Sequence, residues 1–376
     1  YGTKFELIPH IESPARNGVR FTDGYVGACI CSPSRVGLLT GRYQARTGHD
    51  ANSNEGKTPE SKNLLLSETT IAQRLKALGY VTGIYGKWHV GATSAEYLPA
   101  NRGFDESFGT TGNLGDKLGF YRGKEFIPDP AGAPVTSPIY AREANAFMER
   151  HRGEPWFLYV PFNAVHSPVV ASPEIKARFP DLPKGKQDYA ALISEADDAV
   201  GAILAKLREL KLEENTLIFL VSDNGGASPL AEMDGLRGRK WMLWEGGIRV
   251  SWLAQWKGRI PAGRVLETPV IQLDILPTAL AAAGADVRPG AIGRAVPGYE
   301  VAILDEAHTV EQVAAVQLGL RVSQSSLRFE LHRLYHPRTR KGLLKSYRKA
   351  AAMKATEQAL NASDQFFDQI GDAANF

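Results

Sequence analysis

The chain has 376 residues, 43% hydrophobic and 23% charged, with a formal net charge of +3. That make-up fits a soluble globular protein with one large domain, or a large and a small one. It gives no reason to expect nucleic acid, no stretch approaches the roughly 18 apolar residues of a membrane span, and two cysteines build no disulfide framework.

With Tyr1 first, and neither an initiator Met nor a signal-peptide pattern, the compartment is not legible. The first stretch with chemistry in it is YVGACICSPSRVGLLTGRYQARTGHD, Tyr25 to Asp50, which holds both cysteines, Cys29 and Cys31. Ser32 is expected as a helix N-cap, Pro33 in the first helical position and Gly41 just past the end. Cys31 then stands before a helix N-terminus, where backbone N–H groups, the dipole and Arg35 one turn on lower a thiol pKa. A cysteine phosphatase fits poorly. Its phosphate loop spaces Cys and Arg more widely than Cys31 and Arg35, and Pro33 removes an N–H donor.

Helix–strand pairs follow. From Ser67 to Leu78 the pattern puts Ile71, Leu75 and Leu78 on one helical face, with Ser67 as N-cap and Gly79 as the stop. YVTGIYG then reads as a strand. AREANAFMERH with PWFLYVPF repeats the unit, as does a long helix from Ala190 to Leu210 with TLIFLVSDNGG. Helices alternating with fully apolar strands predict an α/β fold, a mostly parallel sheet sandwiched by helices. Functional groups are expected just past the carboxyl ends of its strands, where GKWHVG, NAVHSP and SDNGG fall.

The character changes after residue 285. Residues 286–376 begin with a Gly/Pro-punctuated stretch and continue into a basic helical pattern. There Arg328, Arg333, Arg338, Arg340, Lys341, Lys345, Arg348 and Lys349 stand against Glu330. The basic run reads as a solvated helix face rather than a docking surface for an acidic polymer. The expected division is a catalytic domain at 1–285 and a divergent segment at 286–376.

Cys31-Ser-Pro-Ser-Arg35 followed by Leu39-Thr40-Gly41-Arg42 resembles the signature of the type I, formylglycine-dependent sulfatases of the alkaline phosphatase superfamily. The resemblance runs from Phe5 to Gly284 through IPHIESPARNGVRFTDGYV, GYVTGIYGKWHVG, GFDESFG, PFNAVHSPV, FLVSDNGG, LRGRKWMLWEGGIRV and LDILPTALAAAG, in family order. It implies an alkaline-phosphatase-like fold and hydrolysis of sulfate esters. It further implies that a separate formylglycine-generating enzyme oxidises Cys31 to Cα-formylglycine, whose hydrate attacks sulfur and afterwards eliminates sulfate.

On the same resemblance, Arg35 and Lys87 would hold the nucleophile's oxygens. His89 would bond the hydrate and take the proton that drives elimination. His166 and Lys240 would contact the sulfate and protonate or shield the leaving oxygen. A histidine in an apolar run most often packs or caps; His89 and His166 stand apart because both follow expected strands and match the motifs. Lys240 departs in its setting, since the family favours small neighbours and here Arg239 and Trp241 flank it. Cys29 is read as packing, Glu245 with Arg249 as a structural pair, and Asp274 as a helix N-terminal residue.

Asp223 and Asn224, on a tight turn after an apolar strand, suit a hard cation such as Ca2+, with Mg2+ as the alternative. In the family such an ion also touches the formylglycine, here at position 31, and acts as a Lewis acid. The family's other ligands are two consecutive Asp at the end of a first strand. In this sequence no Asp precedes Asp23 and no Asp-Asp pair precedes Asp197-Asp198. Half the metal shell is therefore expected to be missing, with weak Ca2+ binding and unpaired backbone in the sheet at ~1–3 kcal/mol per buried group.

The implied partners are a sulfated small molecule or carbohydrate and the maturation enzyme, with no nucleic acid and no membrane span. The implied compartment is periplasmic or secreted. Two alternatives stand beside the sulfatase: a phosphonate monoester hydrolase or phosphodiesterase of the same superfamily, and a non-catalytic sulfatase-like remnant.

Overall fold

A computed structural model of the protein describes residues 8–53, 55–114, 120–127, 135–227, 231 and 235–285. The expected segment 286–376, with its basic run, lies outside them. In chain order, α1 (Ser13–Asn17), β1 (Val19–Phe21) and β2 (Gly24–Tyr25) lead into α2 (Cys31–Thr40). Then come α3 (Pro59–Lys62), α4 (Ile71–Lys76), β3 (Val81–Tyr85), β4 (Glu106–Thr110), β5 (Phe120–Arg122) and β6 (Glu125–Ile127). α5 (Ser137–Arg150) precedes β7 (Trp156–Tyr159), and α6 (Pro173–Lys176) and α7 (Lys184–Glu209) precede β8 (Ile218–Val221). The described part closes with α8 (Glu245–Ile248), β9 (Trp252–Gln255), β10 (Arg264–Leu266), β11 (Val270–Ile271) and α9 (Ile275–Ala282).

Two helix starts differ from the sequence expectation. The N-cap of α2 is Ile30, not Ser32. The Ser32 hydroxyl is drawn away to donate to the His89 carbonyl, and the Ser32 N–H goes instead to Asn52 Oδ1 at 3.2 Å. A tertiary partner has replaced the local cap. For α4 the cap is Thr70 rather than Ser67. Thr70 Oγ1 accepts from the Gln73 N–H at 3.2 Å, and Gln73 Oε1 accepts from the Thr70 N–H at 2.9 Å, a reciprocal capping box. The α2 stop is as expected, with Gly41 at φ 64°, where glycine carries no Cβ penalty. The long helix α7 starts at Lys184, before the expected Ala190.

The strands form a five-stranded sheet in the order β6-β5-β4-β3-β7, a four-stranded sheet β10-β1-β9-β8, and a β11–β2 pair. β3 runs parallel to both β4 and β7. β1 with β10 and β2 with β11 are also parallel, while β1–β9, β8–β9, β4–β5 and β5–β6 are antiparallel. Helices α5 and α7 cover one face with Tyr140, Ala144, Phe147, Leu204 and Leu207 against Tyr85 and Phe108. On the four-stranded sheet, Trp252 meets Phe21 and Phe219 edge-on at 5.2 and 5.6 Å. Rings in that geometry add about 0.5–1.5 kcal/mol each beyond the area they bury.

Among the described residues β7 pairs only with β3, and β8 only with β9. Both strands are half-buried along their length, whereas β9 is buried throughout. Both line a cavity of about 1670 Å³ that Cys31, Arg35, Lys87 and Asp223 also line. No described helix is long and apolar enough to cross a membrane.

Candidate active site

The GKWHVG segment continues the line of β3 between the ends of β4 and β7. The Lys87 N–H donates to Pro161 O at 2.7 Å, the Trp88 N–H to Thr110 O at 2.8 Å and the His89 N–H to Thr111 O at 3.1 Å. A Cβ on Gly109 would stand 1.8 Å from Gly86 O, so glycine is what lets β4 come this close. Lys87 is buried, and its Nζ donates to Asn113 Oδ1 at 2.7 Å. Burial, then the cations Arg35 and Lys240, lower its pKa to about 8 against the partial support of Cys31 and Asp223.

Cys31 opens α2 and is buried. Lys240 Nζ donates to Cys31 Sγ at 3.1 Å. One turn along α2, Arg35 engages the Asp223 Oδ2 atom through Nε at 2.9 Å and Nη2 at 2.8 Å, and donates from Nη1 to Lys87 O at 2.9 Å. Burial opposes the Arg35 charge, but the Asp223 carboxylate more than offsets it and raises the pKa. Burial likewise pushes Asp223 up, and Arg35, Lys87 and Lys240 overcome it, so the carboxylate is held below its ordinary value.

His89 takes φ 58° and is buried, with no hydrogen-bond partner for either ring nitrogen among the described residues. Burial, then Lys87 and Arg35, hold it neutral, well below the ordinary histidine value. His166 is half-buried and donates from Nδ1 to Ser167 O at 2.8 Å, which leaves Nε2 as the acceptor in the neutral ring. Burial first, with Lys240 and Lys87, lowers its pKa too.

Asn224 turns its Nδ2 to Gly225 O at 2.9 Å, and its buried Oδ1 has no partner among the described residues. The turn depends on glycine, since a Cβ on Gly225 would lie 1.8 Å from Gly246 O.

Seven residues singled out from the sequence therefore line one cavity: Cys31, Arg35, Lys87, His166, Asp223, Asn224 and Lys240. His89 lies beside it, within reach of the same charges. Three cations face one carboxylate, which makes an anion site. A hard cation fits alongside, because the Asn224 amide oxygen is orphaned and the Asp223 carboxylate is adjacent in sequence. Among the described residues these two protein oxygens are nonetheless far fewer than the six to eight that Ca2+ takes.

The Asp197-Asp198 pair does not supply the rest. Asp197 accepts the backbone N–H groups of His10 and Ile11 at 3.2 and 2.7 Å, and Asp198 pairs with Arg178 at 2.8 Å.

Glu245 and Arg249 do pair, at 3.3 Å, and Arg249 also reaches Asp23 at 3.0 Å. Asp274 stands just before α9 and accepts the Ile271 N–H at 2.9 Å. The sequence reading missed Asn113, which holds Lys87, and Tyr159, which lines the same cavity as Arg35. Asn113 lies just past the end of β4, so the strand-end rule applied one strand further on would have found it.

The sulfatase family model matches residues 1–285. The chain belongs to the sulfatase family. It is 31% identical over 304 residues to an arylsulfatase of Hemicentrotus pulcherrimus, covering 74% of this chain and 54% of that protein. To the N-acetylgalactosamine-6-sulfatase of Homo sapiens it is 34% identical over 312 residues, 76% of this chain and 59% of the relative. The sulfatase domain thus spans little more than half the length of these two curated relatives.

The crystal structure of Ps i-CgsB in complex with k-i-k-neocarrahexaose matches with a TM-score of 0.70 and 30% identity, over 76% of this chain and 68% of that one. The fold is alkaline-phosphatase-like α/β.

Proposed function

We propose that this sulfatase-family chain carries the catalytic half of a sulfuric ester hydrolase acting on a sulfated small molecule or carbohydrate. The observation that carries this reading is the position of Lys240 Nζ, 3.1 Å from Cys31 Sγ, inside a cavity also lined by Arg35, Lys87 and Asp223. A sulfate ester is a tetrahedral monoanion, and buried cations around its sulfuryl oxygens stabilise the charge that develops as the ester bond breaks.

Conversion of Cys31 to Cα-formylglycine by a formylglycine-generating enzyme would supply a hydrated aldehyde as nucleophile. Position 31, at the start of α2, fixes where that group attacks. Arg35, held by Asp223 and the Lys87 carbonyl, keeps its charge in the cavity that position 31 also lines. Lys87, held by Asn113, adds a second donor. His89, neutral and without a ring partner among the described residues, is suited to accept a proton from the group at position 31. His166 lines the cavity with Nε2 left as its acceptor, and Lys240 shields the leaving oxygen.

Asp223 and Asn224 would hold Ca2+, or Mg2+, whose chemistry here is to polarise the S–O bonds.

The test is co-expression with a formylglycine-generating enzyme, mass spectrometry of the Cys31 peptide, and assay on an aryl sulfate beside the matching phosphate diester. The expected result is an aldehyde at position 31 and a preference for the sulfate. An unmodified thiol despite an active maturation enzyme overturns the reading. A preference for the diester moves the chain to the phosphonate hydrolase class.

A further inference from the structure

The segment Trp241–Met242–Leu243–Trp244 follows Lys240 directly and is the most exposed run of large apolar side chains among the described residues, at 61, 45, 76 and 50%. It is not a loose loop. The Trp241 N–H donates to Cys29 O at 3.0 Å, and the Met242 N–H to Arg239 O at 2.9 Å. A Cβ on Gly247 would meet Met242 O at 1.8 Å, so the backbone beneath is tightly seated.

Trp241 itself takes φ 71°, a left-handed conformation that favours glycine and is a genuine outlier for a bulky side chain. A strained, exposed tryptophan one residue from the catalytic cluster needs a compensating use.

Lys240 links that ring to the chemistry. Its Nζ is 3.1 Å from Cys31 Sγ and 5.3 Å from the Trp241 ring centroid. A sulfuryl group held at Lys240 would place the rest of its ester beside the indole. Trp244 already carries the Arg237 guanidinium on its face at 3.7 Å, so Trp241 is the ring next to the anion site. Apart from the two indole N–H groups, residues 241–244 offer no hydrogen-bonding side chain. A polyhydroxylated ring would find few partners there, whereas a flat aromatic one needs none.

Resting on the sulfatase reading, we infer that Trp241 is the platform for the leaving group and selects esters of flat, aromatic alcohols.

The test uses non-hydrolysable sulfonates on the full chain, so turnover is not needed. 2-Naphthalenesulfonate and methanesulfonate are titrated by calorimetry against the wild type, Trp241→Gly, Trp241→Phe and Lys240→Met. Glycine suits φ 71°, so Trp241→Gly removes the ring while relaxing the backbone. Naphthalenesulfonate is expected to bind wild type about tenfold tighter than methanesulfonate, with the ratio falling to about twofold or less in Trp241→Gly and retained in Trp241→Phe. Lys240→Met should weaken both ligands.

If both sulfonates bind in a Lys240-dependent way but the ratio survives Trp241→Gly, the platform is wrong and the anion site stands. If neither binds, or Lys240→Met changes nothing, the reading of the anion site fails and the platform with it. A glucose 6-sulfonate that binds wild type more tightly than the naphthyl compound also overturns the platform, in favour of a sugar-binding surface.

Discussion

The site's charges depend on each other residue by residue. Arg35 is buried, and its charge is tolerable because Asp223 accepts two of its N–H groups. Removing one partner of such a pair strands the other. Asp223→Asn is therefore expected to destabilise the fold by about 2–4 kcal/mol in urea unfolding, the lower end because solvent reaches part of the carboxylate. Adding Arg35→Met to that variant should recover about half the loss, since the buried guanidinium is then no longer left without its carboxylate, while Lys87 and Lys240 remain. A loss below about 0.5 kcal/mol for Asp223→Asn would show that solvent already screens the pair. The same dependence explains why single-residue expectations were uneven. Cys31, Arg35 and Lys87 were legible from their motifs. Asn113 belongs to no motif; its place just past the end of β4 would mark it as a candidate, but its contact with Lys87 is made by the fold.

At the scale of elements, the start of β4 is tied to the end of α5 by charge. Glu106 meets Arg150 and His151, accepts from the Tyr85 hydroxyl at 2.8 Å, and is the shared acceptor of the cluster. Burial works against the Glu106 carboxylate, but bonds from Arg150, His151 and Tyr85 prevail and lower its pKa to about 2. His151 is also opposed by burial, yet Glu106 and Glu154 raise it above its ordinary 6.5.

The signs fix a window. The Glu106 contribution is complete above its ordinary 4.5 and is lost as pH falls toward about 2. The His151 contribution is complete below 6.5 and is lost as pH rises through the raised value. This corner should therefore stabilise most between about 4.5 and 6.5. Glu106→Gln should cost no more than about 1 kcal/mol there, because solvent screens the cluster, and should flatten both limbs of stability against pH. Urea unfolding at acid, intermediate and alkaline pH checks this; parallel wild-type and variant profiles would refute it.

At the scale of the described molecule, the notable feature is that β7 and β8 line one cavity. Each strand carries a ladder on one side only among the described residues, and both line the cavity that Cys31, Arg35, Lys87 and Lys240 also line. Two measurements follow. Amides of β7 and β8 should exchange faster than those of β3 and β9, which have partners on both sides. Equal protection would show that a further segment pairs there. Calorimetric titration of the 376-residue chain with Ca2+ should give a Kd weaker than about 1 mM, because Asp223 and Asn224 offer two oxygens where strong sites use six or more. Binding tighter than about 10 µM would mean that other residues complete the shell.

The amino-acid sequence by itself determined the alternation of helices and apolar strands, the turn at Gly41 and the motif residues. Each of these depends on neighbours a few positions away, through periodicity, backbone φ or a short fixed spacing. What only the tertiary structure decided depends on distant partners. Ser32 leaves its cap position for the His89 carbonyl, and Asn52 takes over its N–H. Lys240 comes to Cys31 across 209 positions of chain. The pKa values of Lys87 and His89 are set by burial among cations brought in from α2 and from the turn before α8. Hydrogen bonds and Coulomb interactions act through space, and no local pattern carries the distances on which they depend.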